Sequence, residues 1–240
     1  MPKTINVSES LTIHPSGYST TNSSYSSISS SYPVTNGYTD TTSTSYAYIT
    51  CNTGSRASSY ISYTFDVSDI PSDATITSIT CSAKLRVSST SYISTAVAQL
   101  YNGTTAKGSS TSARTTTATI YNLTPGTWTR SELNNIQIRY TATRGTSNTS
   151  SAAYMYFYGA DLTINYTVEE TAYTITASSS VSGITVTPTT QDIPTGDTGE
   201  ITINCSDNSE FTITDNGNNI RNQLVLVPAT GTETVIPSGY

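Results

Sequence analysis

Charge is the scarcest property of this 240-residue sequence: 11% of its residues are Asp, Glu, Lys or Arg, and Lys and Arg together number 10. Set against 16 acids they leave a formal net charge of -6 and an isoelectric point near 4.6. No basic stripe exists to neutralise a phosphate backbone, which excludes nucleic acid as a partner and disfavours an anionic membrane surface. Nowhere does an apolar run approach the roughly 18 residues that a spanning helix needs, so no membrane insertion is expected. The first ten residues, MPKTINVSES, lack the apolar stretch of a secretory signal. The expectation is synthesis in a cytoplasm without export.

The residues that usually carry chemistry are equally sparse. One histidine, His14, would have to serve any Ser-His-Asp or Cys-His constellation, and no GxSxG elbow is present. Three cysteines, Cys51, Cys81 and Cys205, are an odd number without CxxC spacing, which argues against a disulfide framework and against zinc. Cys81 lies in phase with Ile79, Ala83 and Leu85 and reads as a buried free thiol; a Cys51–Cys81 bridge is the alternative. A glycosidase needs two carboxylates across a cleft, for which Asp66, Asp69, Asp73, Glu132 and Asp161 supply candidates by number alone. Turn and cap roles account better for Asp69, Asp73 and Glu132. The chain is therefore expected to be non-enzymatic and to need no cofactor, with Asp66, Asp69 and Asp73 around one turn as a weak calcium candidate.

What the sequence has in abundance is hydroxyl. Ser and Thr make up over a third of the chain and there are 18 tyrosines, while Lys, Glu and Met are few. Thr, Tyr, Val and Ile favour strands, so the fold class is all-β. Ile61, Tyr63, Phe65 and Val67 alternate with polar residues as one half-buried strand, and a turn at 68–73 leads into a second over 74–87. The inward set of that second strand changes phase between Ile76 and Ile79, which predicts a bulge. Further strands are read over 92–101, with Asn102-Gly103 as a turn, over 118–123, and over 136–142; a helical turn at 131–135 has Ser131 as its cap. A long closing strand runs over 152–168, with Gly159 as a bulge and Tyr154, Tyr156, Tyr158, Leu162, Ile164 and Tyr166 on one face.

This spacing predicts a jelly-roll-like β-sandwich over residues 1–168. Glu169-Glu170-Thr171 then breaks the pattern, and a shorter series of strands (173–175, 184–186, 200–204, 211–213, 223–227) predicts a small Ig-like β domain over 172–227, with 228–240 as linker or the start of a further repeat. The repeat reading rests on His14-Pro-Ser-Gly-Tyr18 returning as Ile236-Pro-Ser-Gly-Tyr240. Whether Tyr240 is a natural end stays open.

Sugar recognition needs aromatic faces beside amides and hydroxyls, and two places supply them. Trp128 sits in the turn sequence PGTWTR, and Tyr18, Tyr25, Tyr32 and Tyr38 recur every six to seven residues in a Ser/Thr/Asn-rich stretch read as long loops. For Trp128 the competing role is a plug closing one end of the sandwich. For the loop tyrosines it is packing on the scaffold or on a neighbouring subunit.

The stretch YTFDVSDIPSDATITSITCSAKL, residues 63–85, resembles the opening strands of jelly-roll domains of the DNRLRE carbohydrate-binding-module type, and related domains in phage virion and fibre proteins. YGADLTINY at 158–166 resembles their closing strand, and DNGNNIRNQL at 215–224 is similar to the Ig-like spacers between them. The matching positions are core strands and a turn, so the resemblance implies a fold and a setting but transfers no ligand-binding residue. With the surface-type composition and the absence of an export signal, it leads to the expectation of a bacteriophage virion structural protein: a fibre or decoration module on head, neck or tail, homo-oligomeric and attached to capsid or tail proteins. The alternatives are a module binding a host-cell glycan within such an appendage, and a bacterial surface adhesin.

Overall fold

A computed structural model describes residues 2–21, 46–51, 58–145, 152–179, 183–197, 201–205, 214–215, 218–219 and 233–235. The chain is all-β apart from one helical turn among these residues. Two compact units emerge, Ser8–Val168, and Met1–Val7 together with Glu169–Tyr240.

The larger unit is a two-sheet sandwich. One sheet is built on the 24-residue strand β10 (Ala153–Thr176), in the order β1 (Pro2–Ile13), β10, β5 (Thr75–Val87), β8 (Thr119–Leu123). Strand β3 (Ala47–Cys51) also pairs with β10. Because Met155 pairs with Ile49 of β3 and with Val87 of β5, those two strands flank β10 on opposite edges. The other sheet has the order β2 (Pro15–Thr21), β4 (Ser58–Phe65), β9 (Ile136–Arg144), β6 (Ile93–Asn102), β7 (Thr105–Ser112). Early strands lie beside late ones in both sheets, β3 and β5 with β10, and β4 and β6 with β9. That nesting is the jelly-roll arrangement.

Alternation dictates which side chains enter the core. In β9, Ile136, Ile138, Tyr140, Ala142 and Arg144 are buried while their neighbours are half-buried. Facing them from the first sheet come Leu85, Val87, Met155, Phe157, Ala160, Leu162 and Ile164. Each large aliphatic side chain so enclosed contributes about 1.5–3 kcal/mol over its exposed state. Tyr63 and Tyr140 from one sheet meet Phe157 from the other, with centroid distances of 4.5 and 4.2 Å to Phe157, and form the aromatic centre of the sandwich.

Gly159 changes which residues of β10 face inward. Its φ of 135° is open to glycine and strained for other residues, and the pairing with β5 shifts between Phe157 and Gly159. Before the bulge the odd residues Ala153, Met155 and Phe157 are buried; after it the even residues Ala160, Leu162, Ile164 and Tyr166 are. The single aromatic face expected along this strand is therefore split: Tyr154, Tyr156 and Tyr158 face outward, and Leu162, Ile164 and Tyr166 inward. The expected phase change in β5 is present as a register shift opposite Asn165 and Tyr166.

Several other expectations need correction. The helical turn is Arg130–Leu133, capped by Thr129 and not by Ser131: Glu132 N–H donates to the Thr129 hydroxyl while the Glu132 carboxylate accepts from the Thr129 N–H at 2.9 Å. Residues 169–171 do not break the pattern, since β10 continues through them to Thr176 and pairs there with β12 (Thr190–Pro194). The segment 173–175 is thus the tail of β10. In the smaller unit, β11 (Ile184–Thr187), β13 (Ile201–Cys205) and β16 (Glu233–Val235) form an antiparallel sheet, and β14 (Thr214–Asp215) pairs with β15 (Asn218–Asn219). The strands expected at 211–213 and 223–227, and the repeat at 236–240, lie outside the described residues.

Cys51 and Cys81 are both free and buried. They pair with Ala153 and Leu162 of the same strand, nine residues apart, and at about 3.3 Å per residue that separation is far beyond the reach of a disulfide. The Cys51–Cys81 bridge is therefore excluded. Burial pushes the Cys51 thiol up to about 11 and the Cys81 thiol up to about 12, which holds both neutral.

Candidate functional site

Most of the residues singled out for chemistry have structural work. Trp128 is 6% exposed and belongs to the core; its indole N–H donates to the Pro125 carbonyl at 2.8 Å. The Lys107 ammonium lies 5.2 Å from its ring centroid and pairs with Glu132 at 2.8 Å. This ring presents no face to a sugar, which corrects its reading as a stacking residue and leaves the plug. Tyr18 lies in the edge strand β2, not in a loop, paired opposite Tyr63 with its ring 6.2 Å away and 48% exposed. Tyr25, Tyr32 and Tyr38 lie outside the described residues.

The Arg130 guanidinium binds the turn that holds Asp66, Asp69 and Asp73. Arg130 donates to the carbonyls of Ile70 at 2.7 Å and Pro71 at 2.9 Å, and to Asn134 Oδ1 at 2.8 Å. The Asp66 carboxylate accepts from the Ser68 N–H at 3.0 Å, a bond that holds its pKa low. Among the described residues no group of three or more His, Cys, Asp or Glu side chains is placed to hold a metal ion. His14 Nδ1 lies 2.9 Å from Asp161 Oδ1. Ser82, which pairs with Asp161 across the strands, donates its hydroxyl to Asn122 at 2.7 Å.

The surface with the most concentrated recognition chemistry is the outer face of β3, β10 and β5, which sequence reasoning did not single out. Cross-strand pairing aligns it in rows. Tyr48, Tyr156 and Arg86 form one row. Beside it stand Tyr46, Tyr158 and Lys84, with Lys84 opposite Ile120 of β8, whose side chain is 50% exposed. Tyr154 begins a third row, held by its N–H bond to the Ser88 hydroxyl at 2.9 Å. All five tyrosines are half-buried.

Their rings support one another. Tyr46 packs edge-on against Tyr156 at 5.1 Å and Tyr48 edge-on against Tyr154 at 5.5 Å, near-perpendicular in both cases. Tyr46 also lies 5.8 Å from Tyr158 and Tyr48 6.2 Å from Tyr156. Such edge-to-face pairs add about 0.5–1.5 kcal/mol each beyond area burial and fix ring orientation. The Arg86 guanidinium stacks 4.0 Å from the Tyr156 centroid while its Nε donates to the Tyr158 hydroxyl at 2.6 Å. Partial burial raises the Tyr156 phenol pKa, which keeps that hydroxyl protonated.

The other sheet carries a superficially similar cluster with more of its polar capacity engaged. Arg139 lies 3.8 Å from the Tyr101 centroid and 4.3 Å from that of Tyr60. Its Nε donates to the Ser62 hydroxyl at 3.1 Å and a terminal nitrogen to the Gly103 carbonyl at 3.3 Å. By contrast, Arg86 makes its one protein hydrogen bond among the described residues through Nε, leaving its terminal fork unused. Neither Arg86 nor Lys84 has a carboxylate within ion-pair distance among those residues. In comparisons with known proteins the chain matches no family model, no curated protein and no solved structure.

Proposed function

We propose that this chain is a non-enzymatic bacteriophage virion structural protein, a fibre or decoration module of head, neck or tail that presents its β-sandwich as an attachment or spacer surface. The observation that supports the reading best is the jelly-roll sandwich whose residues of chemical interest are spent on structure: Trp128 in the core, Arg130 on turn carbonyls, Glu132 in a cap. The low charge and high hydroxyl content suit contacts between subunits, because hydroxyls lose less than ions on desolvation. A homo-oligomer bound to capsid or tail proteins follows from that composition. Immunogold labelling of purified particles with an antibody against the chain is the test. Regular labelling at one site on the particle is expected; particles that carry none of the chain overturn the proposal.

A second reading, a module that binds a host-cell glycan, is favoured by the tyrosine face of β3, β10 and β5. Rigid tyrosines lose little conformational entropy on binding and offer both a ring and a hydroxyl, which is the economy that antibody combining sites use. That face takes the place of Trp128 as a candidate surface.

A further inference from the structure

We propose that the outer face of β3, β10 and β5 binds an acidic saccharide: pyranose rings lie on Tyr48, Tyr154 and Tyr156, and a carboxylate, sulfate or phosphate of the sugar meets Arg86 and Lys84. The inference rests on the glycan-binding reading and adds the ligand class to it.

Charge complementarity carries the argument. In a chain with 16 acids and 10 Lys and Arg residues, a basic side chain has carboxylates to spare, and Lys3 and Lys107 each have one. Lys84 and Arg86, two residues apart on one face of β5, have none within ion-pair distance among the described residues. Asp161, two residues beyond the Gly159 bulge, lies 2.9 Å from His14 Nδ1 and is, among the described residues, the one carboxylate set against these two cations. The face is thus locally positive on a protein that is negative as a whole, which draws an anionic group to this place and repels it elsewhere.

Geometry adds specificity. The Arg86 guanidinium is fixed in plane by stacking on Tyr156 and in position by its Nε bond to the Tyr158 hydroxyl. Its unused terminal nitrogens form the fork that matches a carboxylate or phosphate, and holding that fork in advance removes much of the entropy cost of ordering it. The Lys84 ammonium, 5.8 Å from the Tyr158 centroid, supplies a second, movable charge. Phenol hydroxyls around them can meet sugar hydroxyls, and the supported rings can stack on the apolar face of a pyranose.

The test applies the whole chain to an array of uronate-, sialate-, sulfate- and phosphate-bearing saccharides beside their neutral counterparts, followed by titration calorimetry on the best binder. Binding of an acidic saccharide is expected, at least about tenfold tighter than its neutral counterpart and weakened by added salt. Arg86→Ala and Lys84→Gln should each weaken it by about tenfold. The Lys84 side chain makes no hydrogen bond among the described residues, so Lys84→Gln keeps the test open if Arg86→Ala melts early. Equal binding of acidic and neutral sugars, or full binding by a folded Lys84→Gln variant, overturns the acidic assignment and leaves the glycan reading standing. No binding to any saccharide by the folded chain overturns both, and leaves the virion proposal untouched.

Discussion

The Tyr140 ring in β9 and the Phe157 ring in β10 lie 4.2 Å apart between centroids, so the two sheets meet ring against ring, yet the Tyr140 hydroxyl is buried beside them without a hydrogen-bond partner among the described residues. Burial raises its pKa far beyond the ordinary phenol range and holds it protonated. A desolvated, unpaired hydroxyl costs about 1–3 kcal/mol, whereas the ring around it is stabilising. Tyr140→Phe should therefore raise stability by about 1 kcal/mol, and Phe157→Ala should lower it by about 3–5 kcal/mol. Urea unfolding of both variants checks this; a Tyr140→Phe variant less stable than the parent would mean that the hydroxyl is doing bonding work.

Because folding raises the pKa of both buried thiols, from 9.0 to about 11 for Cys51 and from 9.0 to about 12 for Cys81, the native state binds protons more tightly than the unfolded chain. Their contribution is complete below pH 9 and is lost as pH climbs through about 11 to 12, so stability should fall by a few kcal/mol, roughly, across that window. In neutral buffer neither thiol should react with a disulfide reagent until the protein is unfolded. Rapid native labelling of Cys51 or Cys81, read by peptide mass spectrometry, would contradict the burial described.

Gly108 has a φ of 64°, and a Cβ placed on it would lie 1.8 Å from the Thr124 carbonyl oxygen. Backbone and not side chain would have to move, at the point where Ser109 N–H bonds that same carbonyl at 3.1 Å. Gly108→Ala should cost at least about 2 kcal/mol, from the clash and the left-handed backbone together. Gly103→Ala, with similar φ and open space around it, should cost about 1 kcal/mol. Paired thermal melts separate them; equal losses would place the cost in φ alone.

Trp128 is the single tryptophan, so its fluorescence reports one buried ring without interference. Emission should be blue-shifted in the native protein and red-shifted on unfolding, and a saccharide bound at the tyrosine face should leave it unchanged. Trp128→Ala should cost about 3–5 kcal/mol. Quenching of the native emission by a bound sugar would return this residue to the list of ligand contacts.

Much of the larger unit was legible because its strands are half-buried and alternate cleanly, as Ile61-Tyr63-Phe65 and Ile136-Ile138-Tyr140 do. Gly159 was legible as a bulge, but its consequence was not: periodicity extended through it puts Tyr158 and Leu162 on one face, and only the register shift to β5 shows that they point oppositely. Strand β7, TAKGSSTS, has hardly an apolar residue and lies at a sheet edge, so alternation gives no signal there. Strand β3 escaped notice because it is five residues long, with Ala47, Ile49 and Cys51 as its inward set. The tyrosine face was invisible for a related reason. Tyr46 and Tyr48 are over a hundred positions from Tyr154 and Tyr156, and pairing alone brings them together.

The most direct test of the functional account is a residue-level cryo-electron-microscopy structure of purified phage particles from cells that express this chain. The account predicts an ordered jelly roll fixed to capsid or tail, with Tyr48, Tyr154, Tyr156 and Arg86 facing solvent. Particles without the chain, or a structure in which that face is buried against another virion protein, would contradict it.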